Sequence, residues 1–196
     1  MRLSEIERQA PNSVGIIFGR FNPPHKGHLA AWEMMQDNHG DNWYVGTNEN
    51  TNDKKNPLPY DIKIKAMEVI YNSSPKAKPG FEDRLIATQS WLTMATLIYE
   101  LYPGADLKVY TDEEWVIKAI NQYNGVEGKA HGFYQFNNIE NVATPRVSSA
   151  TALRTAVLEK DRDAFAKAAG VDADELVDGV HYFELVDEYL SKYYKS

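Results

Sequence analysis

The chain has no cysteine among its 196 residues. That excludes disulfide bonds, a thiolate nucleophile and a cysteine-ligated zinc site, and it fits a protein of the reducing cytoplasm. No apolar stretch reaches the roughly 20 residues of a membrane span, so no membrane role is expected. Positive net charge is missing too. With 28 acidic against 21 basic residues the formal charge is −7. Broad nucleic-acid binding usually needs a basic face, so no nucleic-acid partner is expected. A small anionic substrate is still allowed, because a few local cations can hold one on an acidic protein. The segment Met1 to Arg8 alternates charge with isolated apolar residues and has no signal-peptide core. His39, His131 and His181 lack ligand-like spacing, so no metal site is expected. Of the three, His131 is placed nearest the substrate-side rim.

What is present reads as one globular domain over residues 1–196, with a helical C-terminal part from about 156 onward. Short apolar runs alternate with longer helical patterns. The strands fall at Val14 to Phe18, Trp43 to Gly46, Arg84 to Thr88, Leu107 to Tyr110 and between Phe133 and Ala143. The intervening helices cover Lys26 to Asn38, Tyr60 to Tyr71, Trp91 to Tyr102 and Glu113 to Tyr123. Helices over Ser149 to Glu159, Asp161 to Ala169 and Tyr182 to Tyr194 close the chain. This alternation predicts an α/β fold, a Rossmann-like doubly wound parallel sheet of about five strands, with loops converging at the strands' C-terminal edge. Tyr182, Phe183, Leu185, Val186, Tyr189 and Leu190 have helical spacing and read as core or as a contact between copies, so a homo-oligomer is left open. Trp91 and Trp115 read as packing residues. Trp43 or Trp115 is an alternative stacking surface for a base.

The densest signal is Val14-Gly-Ile-Ile-Phe-Gly-Arg-Phe-Asn-Pro-Pro-His-Lys-Gly-His28. A buried strand ends at Gly19-Arg20, a proline-stiffened turn follows, and His25, Lys26, Gly27 and His28 enter a helix. Two imidazoles and a lysine thus reach a helix N-terminus, where open N–H groups and the dipole favour an anion. Gly19 is read as the residue that lets the backbone turn sharply, and Gly27 as the one that lets it approach a ligand. Arg20 can fork onto phosphate oxygens, and Lys26 acts as a point charge. A second cluster, Val147-Ser-Ser-Ala-Thr-Ala-Leu-Arg154, opens another helix. Ser149 suits its N-cap, and Arg154 lies a little over one turn on, within reach of the same anion.

Gly19-Arg20-Phe21-x-Pro23-x-His25-x-Gly27-His28 resembles the signature of the nucleotidylyltransferase superfamily, whose hallmark is His-x-Gly-His. The longer form is most similar to nicotinamide mononucleotide adenylyltransferases of the archaeal type and to phage-encoded relatives. Ser149, Thr151 and Arg154 agree with the superfamily's second signature. Ala150 replaces its small Gly or Ser, Ser148 an aliphatic residue, and Leu153 an Ile or Val. Gly46-Thr47 with Asn56-Pro57-Leu58 resembles a further adenylyltransferase segment. Thr111-Asp112-Glu113 stands where relatives carry Gly-Ser/Thr-Asp.

The resemblance implies transfer of AMP from ATP to a phosphorylated acceptor, with nicotinamide mononucleotide first among candidates and pyrophosphate released. It implies that His25 and His28 contact the phosphates and act catalytically with Arg154. Gly19, Arg20, Phe21, Lys26, Gly27, Ser149 and Thr151 would bind the nucleotide. Mg2+ would arrive with the ATP. The acceptor is expected near Gly46, Thr47, Trp91 and Trp115. A cytidylyltransferase, a phosphopantetheine adenylyltransferase-like enzyme, and a nucleotide-binding module without turnover are the alternatives.

Overall fold

A computed structural model describes residues 12–51 and 53–194. The Met1 to Arg8 segment lies outside them. Five parallel strands form one sheet: β1 (Ser13–Phe18), β2 (Trp43–Thr47), β3 (Leu85–Ala87), β4 (Asp106–Tyr110) and β5 (Ile139–Val142). Their order is β3-β2-β1-β4-β5. β1 pairs with β2 in the register Gly15 to Trp43, and with β4 in the register Val14 to Leu107. Such central, doubly covered strands bury both faces, which is why β1 reads as a continuous apolar run. Val14, Ile16, Val45, Leu107 and Val109 have no exposed surface.

The helices between strands are α1 (Lys26–His39), α2 (Tyr60–Asn72), α3 (Trp91–Leu101) and α4 (Glu114–Tyr123). α1 turns Ala31, Trp32 and Met35 inward at helical spacing. α1 packs with α2, and α3 with α4, as two layers around the sheet. The chain runs outward from β1 to β3, returns, and then adds β4 and β5 on the other side. The strand order therefore reverses between β1 and β4, and a crevice opens beyond their C-terminal ends. The α/β sheet of five strands agrees with the expectation from sequence. No described helix is long and apolar enough to cross a membrane.

The C-terminal part holds α5 (Ala150–Leu158), α6 (Arg162–Ala169) and α7 (Tyr182–Ser191). Between α6 and α7 lies an antiparallel hairpin that the periodicity reading left unassigned: β6 (Leu176–Val177) and β7 (Val180–His181). Its turn is Asp178-Gly179, with φ 54 and 78. Asp-Gly between apolar residues is a strong short hairpin signal, because both turn positions need positive φ. The strands are only two residues each, too short to register as a period-2 pattern.

Candidate active site

Leaving β1, the chain makes its turn through Phe21, which is the left-handed residue at φ 46. The expectation that Gly19 supplies this turn is corrected. Gly19 is small for a different reason, since a Cβ there would lie 3.1 Å from the Phe21 ring. That ring is buried, edge-on to His28 at 4.8 Å and against Trp32. Buried Asn22 donates to the Leu58 carbonyl at 2.9 Å and accepts from the Leu58 N–H at 3.0 Å. The turn is thereby stapled to the segment before α2.

His25 is the N-cap of α1, and its Nδ1 accepts the Gly27 N–H at 3.0 Å. The His25 N–H in turn donates to Nδ1 of His28 at 3.2 Å. This is a capping box built from two histidines, whose rings stack 3.7 Å apart. Burial, and then the charge of Arg154, lowers the pKa of His25 to about 4. Burial, and then His25, holds His28 well below the ordinary imidazole range. Both rings are therefore neutral at pH 7. A neutral imidazole has one donor and one acceptor nitrogen. With Nδ1 accepting in both rings, the hydrogen resides on Nε2 in both.

The second helix start lies opposite. Ser149 caps α5 by accepting the Ala152 N–H at 3.1 Å. Arg154 donates to the Asn22 carbonyl at 3.2 Å and to Thr151 Oγ1 at 3.2 Å, so it ties the two loops together. Gly27 lets the loops touch: a Cβ on it would sit 2.9 Å from the His25 ring and 3.0 Å from the Ser148 carbonyl. The close approach inferred at Gly27 is thus made by the protein's own second loop.

Between the two loops is a cleft of about 740 Å³. Arg20, Phe21, His25, Gly27, His28, Ser149, Thr151 and Arg154 all line it, as expected for a shared site. Among the described residues, the charged side chains of its wall are Arg20, Lys55, Arg146 and Arg154, and none of the lining residues is a carboxylate. On a chain of net charge −7, this is a local reversal of sign. Lys55 and Arg146 were not anticipated. Arg146 directly precedes the second motif and pairs with Asp112 at the start of the turn into α4. Lys55 lies in the polar loop beside Asn56-Pro57, where nothing in its residue type separates it from a solvated lysine.

Other expected site residues lie elsewhere. Lys26 does not line the cleft; its stem packs on Gly170, where an added Cβ would come within 2.6 Å of Lys26 Cβ. Gly46 is buried beneath the Met94 sulfur, and Thr47 has no exposed surface. Thr47 Oγ1 accepts from Lys63 Nζ at 3.0 Å and donates to the Arg20 carbonyl at 3.3 Å. Thr47 therefore braces the Arg20 turn from within the core, outside the cleft wall. Trp91 is buried edge-on to Phe18, while Trp115 is 60% exposed and donates to Glu113 at 2.5 Å. Neither lines the cleft, and the reading of Trp115 as a packing residue is corrected. Trp43 is wholly buried and cannot stack a base. His131 is not at the rim. It packs between Tyr123, at the far end of α4, and Tyr134.

Lys63 is a further polar residue that the sequence pattern does not mark. It is fully buried on α2, donates also to the Asn48 carbonyl and lies 5.2 Å from the Tyr60 ring centre. Burial lowers its pKa to about 8, with Glu49 opposing. In Asp61-Ile-Lys-Ile-Lys65 the lysines alternate with isoleucines, and nothing marks one of them as interior.

Residues 16–181 match the family described as cytidylyltransferase-like. The match spans most of the chain, and the chain belongs to that family. No curated protein matches it. Membership supports nucleotidyltransferase chemistry in general and leaves the nucleotide and the acceptor open.

Proposed function

We propose that this member of the cytidylyltransferase-like family transfers AMP from ATP to a phosphorylated acceptor, nicotinamide mononucleotide. The carrying observation is the cleft itself: four cationic side chains, two neutral Nε2–H donors and two helix N-termini, with no carboxylate among the described lining residues. That donor set suits a polyphosphate. An acceptor phosphate oxygen attacks the α-phosphorus, a new P–O bond forms, and the bond to the β-phosphate oxygen breaks to release pyrophosphate. The acceptor phosphate is already ionised, so no general base is required. Catalysis is then positioning plus stabilisation of charge on the five-coordinate phosphorus.

His25 and His28 donate Nε2–H to oxygens of the reacting phosphates. Arg20 and Lys55 neutralise the chain of phosphates, and Ser149, Thr151 and Arg154 hold the leaving β,γ end. A divalent cation such as magnesium has no carboxylate cradle in the wall and fits as a passenger on nucleotide oxygens, where it offsets phosphate charge. The Gly19-Arg20-Phe21 stretch supports nicotinamide mononucleotide as acceptor, and the cysteine-free composition suits a cytoplasmic enzyme.

The test is pyrophosphate release from ATP or CTP, with magnesium, against a panel of nicotinamide mononucleotide, phosphopantetheine and sugar or alcohol phosphates. The expected product is the adenylylated dinucleotide. Turnover of CTP with a sugar phosphate would replace the substrates and keep the phosphate roles. Nucleotide binding without turnover on the whole panel would leave a binding module.

A further inference from the structure

The segment from Asn22 to Pro24 cannot be held by backbone hydrogen bonds in the ordinary way. Pro23 and Pro24 have no N–H to give. Its position depends on side chains that reach it from elsewhere. Asn22 is stapled to Leu58, and the Asn22 carbonyl accepts from Arg154. The remaining clamp comes from 158 residues away: Tyr182 Oη donates to the Pro24 carbonyl at 2.7 Å. Pro24 and Tyr182 are both buried. A buried carbonyl without a donor is costly, so this hydroxyl is matched to its partner.

We propose that Tyr182 is a positioning residue for the cleft, its buried hydroxyl fixing the Pro24 carbonyl and so the seat of the His25 ring. Tyr182 is the first residue of α7 and lies just beyond the span matched by the family, residues 16–181. Two further contacts run the same way. Ser148 Oγ donates to the Ala168 carbonyl of α6 at 2.9 Å, and Gly170, the C-cap of α6, sits against Lys26 at the start of α1. The C-terminal helices therefore grip both loops that form the cleft, and the Tyr182 grip falls on the residue directly before His25. Its phenol stays protonated, since burial raises its pKa well above the ordinary value, so it serves as a donor across the working range.

The kinetic part rests on the function proposed above, and the experiment separates the two. Tyr182→Phe keeps the ring that packs edge-on to Phe165 and deletes only the hydroxyl. Phe165→Leu loosens the same packing and leaves the hydroxyl in place. If Tyr182 positions the site, Tyr182→Phe lowers kcat by about tenfold, as small displacements of a reacting group do, with the KM for ATP within about twofold. It also moves the His25 ring resonances in the free protein and leaves those of His131 in place. Phe165→Leu lowers the melting temperature with kcat and the His25 signals unchanged. A purely structural tyrosine predicts two variants that differ only in stability. Tyr182→Phe with kcat within twofold of wild type and His25 signals unmoved would overturn the proposal. If the wild type binds ATP but turns over no acceptor, the function fails and the resonance comparison still decides on Tyr182.

Discussion

Two helix N-termini face the cleft, and they are built in opposite ways. At α1 the capping groups are buried or half-buried. His25 caps with its ring, His28 caps His25, Phe21 packs beneath, and Asn22 and Tyr182 hold the loop from both sides. At α5 the groups are open. Ser149 and Thr151 are exposed, Arg146 is 79% exposed in its side chain, and Arg154 lies half in and half out. The first entrance is ordered before any ligand arrives; the second has rotamers still to lose. A preorganised donor lowers the barrier of a reaction, because no reorganisation remains at the moment charge develops. An exposed clamp contributes chiefly to affinity and specificity. The two loops should therefore fail in different kinetic parameters.

The largest effect is expected at His28. Alanine would remove both the cap on the His25 N–H and the donor Nε2, so it confounds stability with chemistry. His28→Asn keeps an acceptor near the Nδ1 position and deletes the Nε2–H. It should lower kcat by about 10²–10³-fold, the cost of one lost transition-state donor, with ATP affinity changed only a few-fold. Steady-state kinetics beside direct ATP titration separates the two. A variant with normal kcat and lost ATP binding would place His28 in the clamp and erase the contrast.

Arg154→Lys should have a smaller effect, of another kind. The guanidinium reaches Asn22 and Thr151 with separate nitrogens, and a fork that bridges two loops cannot be copied by an ammonium. The expected outcome is a rise of roughly tenfold in the KM for ATP, with kcat less affected. Equal losses in kcat and kcat/KM would instead make Arg154 a transition-state residue, level with the histidines.

The same contrast explains what was legible in the sequence. The sheet could be read because β1 is an apolar run and β2 and β4 are short strand-like segments between helical periods, and both motifs could be read because glycines, prolines and histidines are strong local signals. The reasons for those residues were less legible. Gly19 and Gly27 are small because the Phe21 ring, the His25 ring and the Ser148 carbonyl press on them, and these are tertiary contacts. Thr47 and Lys63 illustrate the same gap. Sequence placed Thr47 at the site, but only packing shows it working from beneath, between a buried ammonium and the Arg20 carbonyl. Lys55 joins the wall through the path of a polar loop, and Trp115 leaves the core because α4 buries Val116 and Ile120 instead. Local pattern carries element type and capping chemistry. It does not carry which side chain of a helix another loop will need.

The smallest expected effect is on stability against pH, and it also divides the two entrances. The folded pKa of His25 is about 4, below its ordinary value of 6.5. That of His28 is lowered in the same direction. A histidine whose folded pKa is depressed binds fewer protons in the native state than in the unfolded chain. Stability is therefore undiminished above pH 6.5, and it falls as the pH drops from 6.5 toward 4, where the unfolded chain takes up protons that the folded one refuses. His39 is also lowered, by burial and then by Lys108, and adds to the slope from outside the site. Between pH 7 and pH 6 the loss from His25 alone should be about 0.7 kcal/mol, with His28 and His39 adding in the same direction, read as a fall in melting temperature. His25→Asn keeps an N-cap acceptor for the α1 backbone and removes the titrating ring, so its melting curve should fall less steeply over that interval. Arg154→Lys exchanges one permanent cation for another and should follow the wild-type slope. If His25→Asn were as pH-sensitive as wild type, or if ring titration of the free protein gave His25 a pKa near 6.5, the buried entrance would be neither neutral nor preorganised, and the division of labour between the two helix starts would fail at its base.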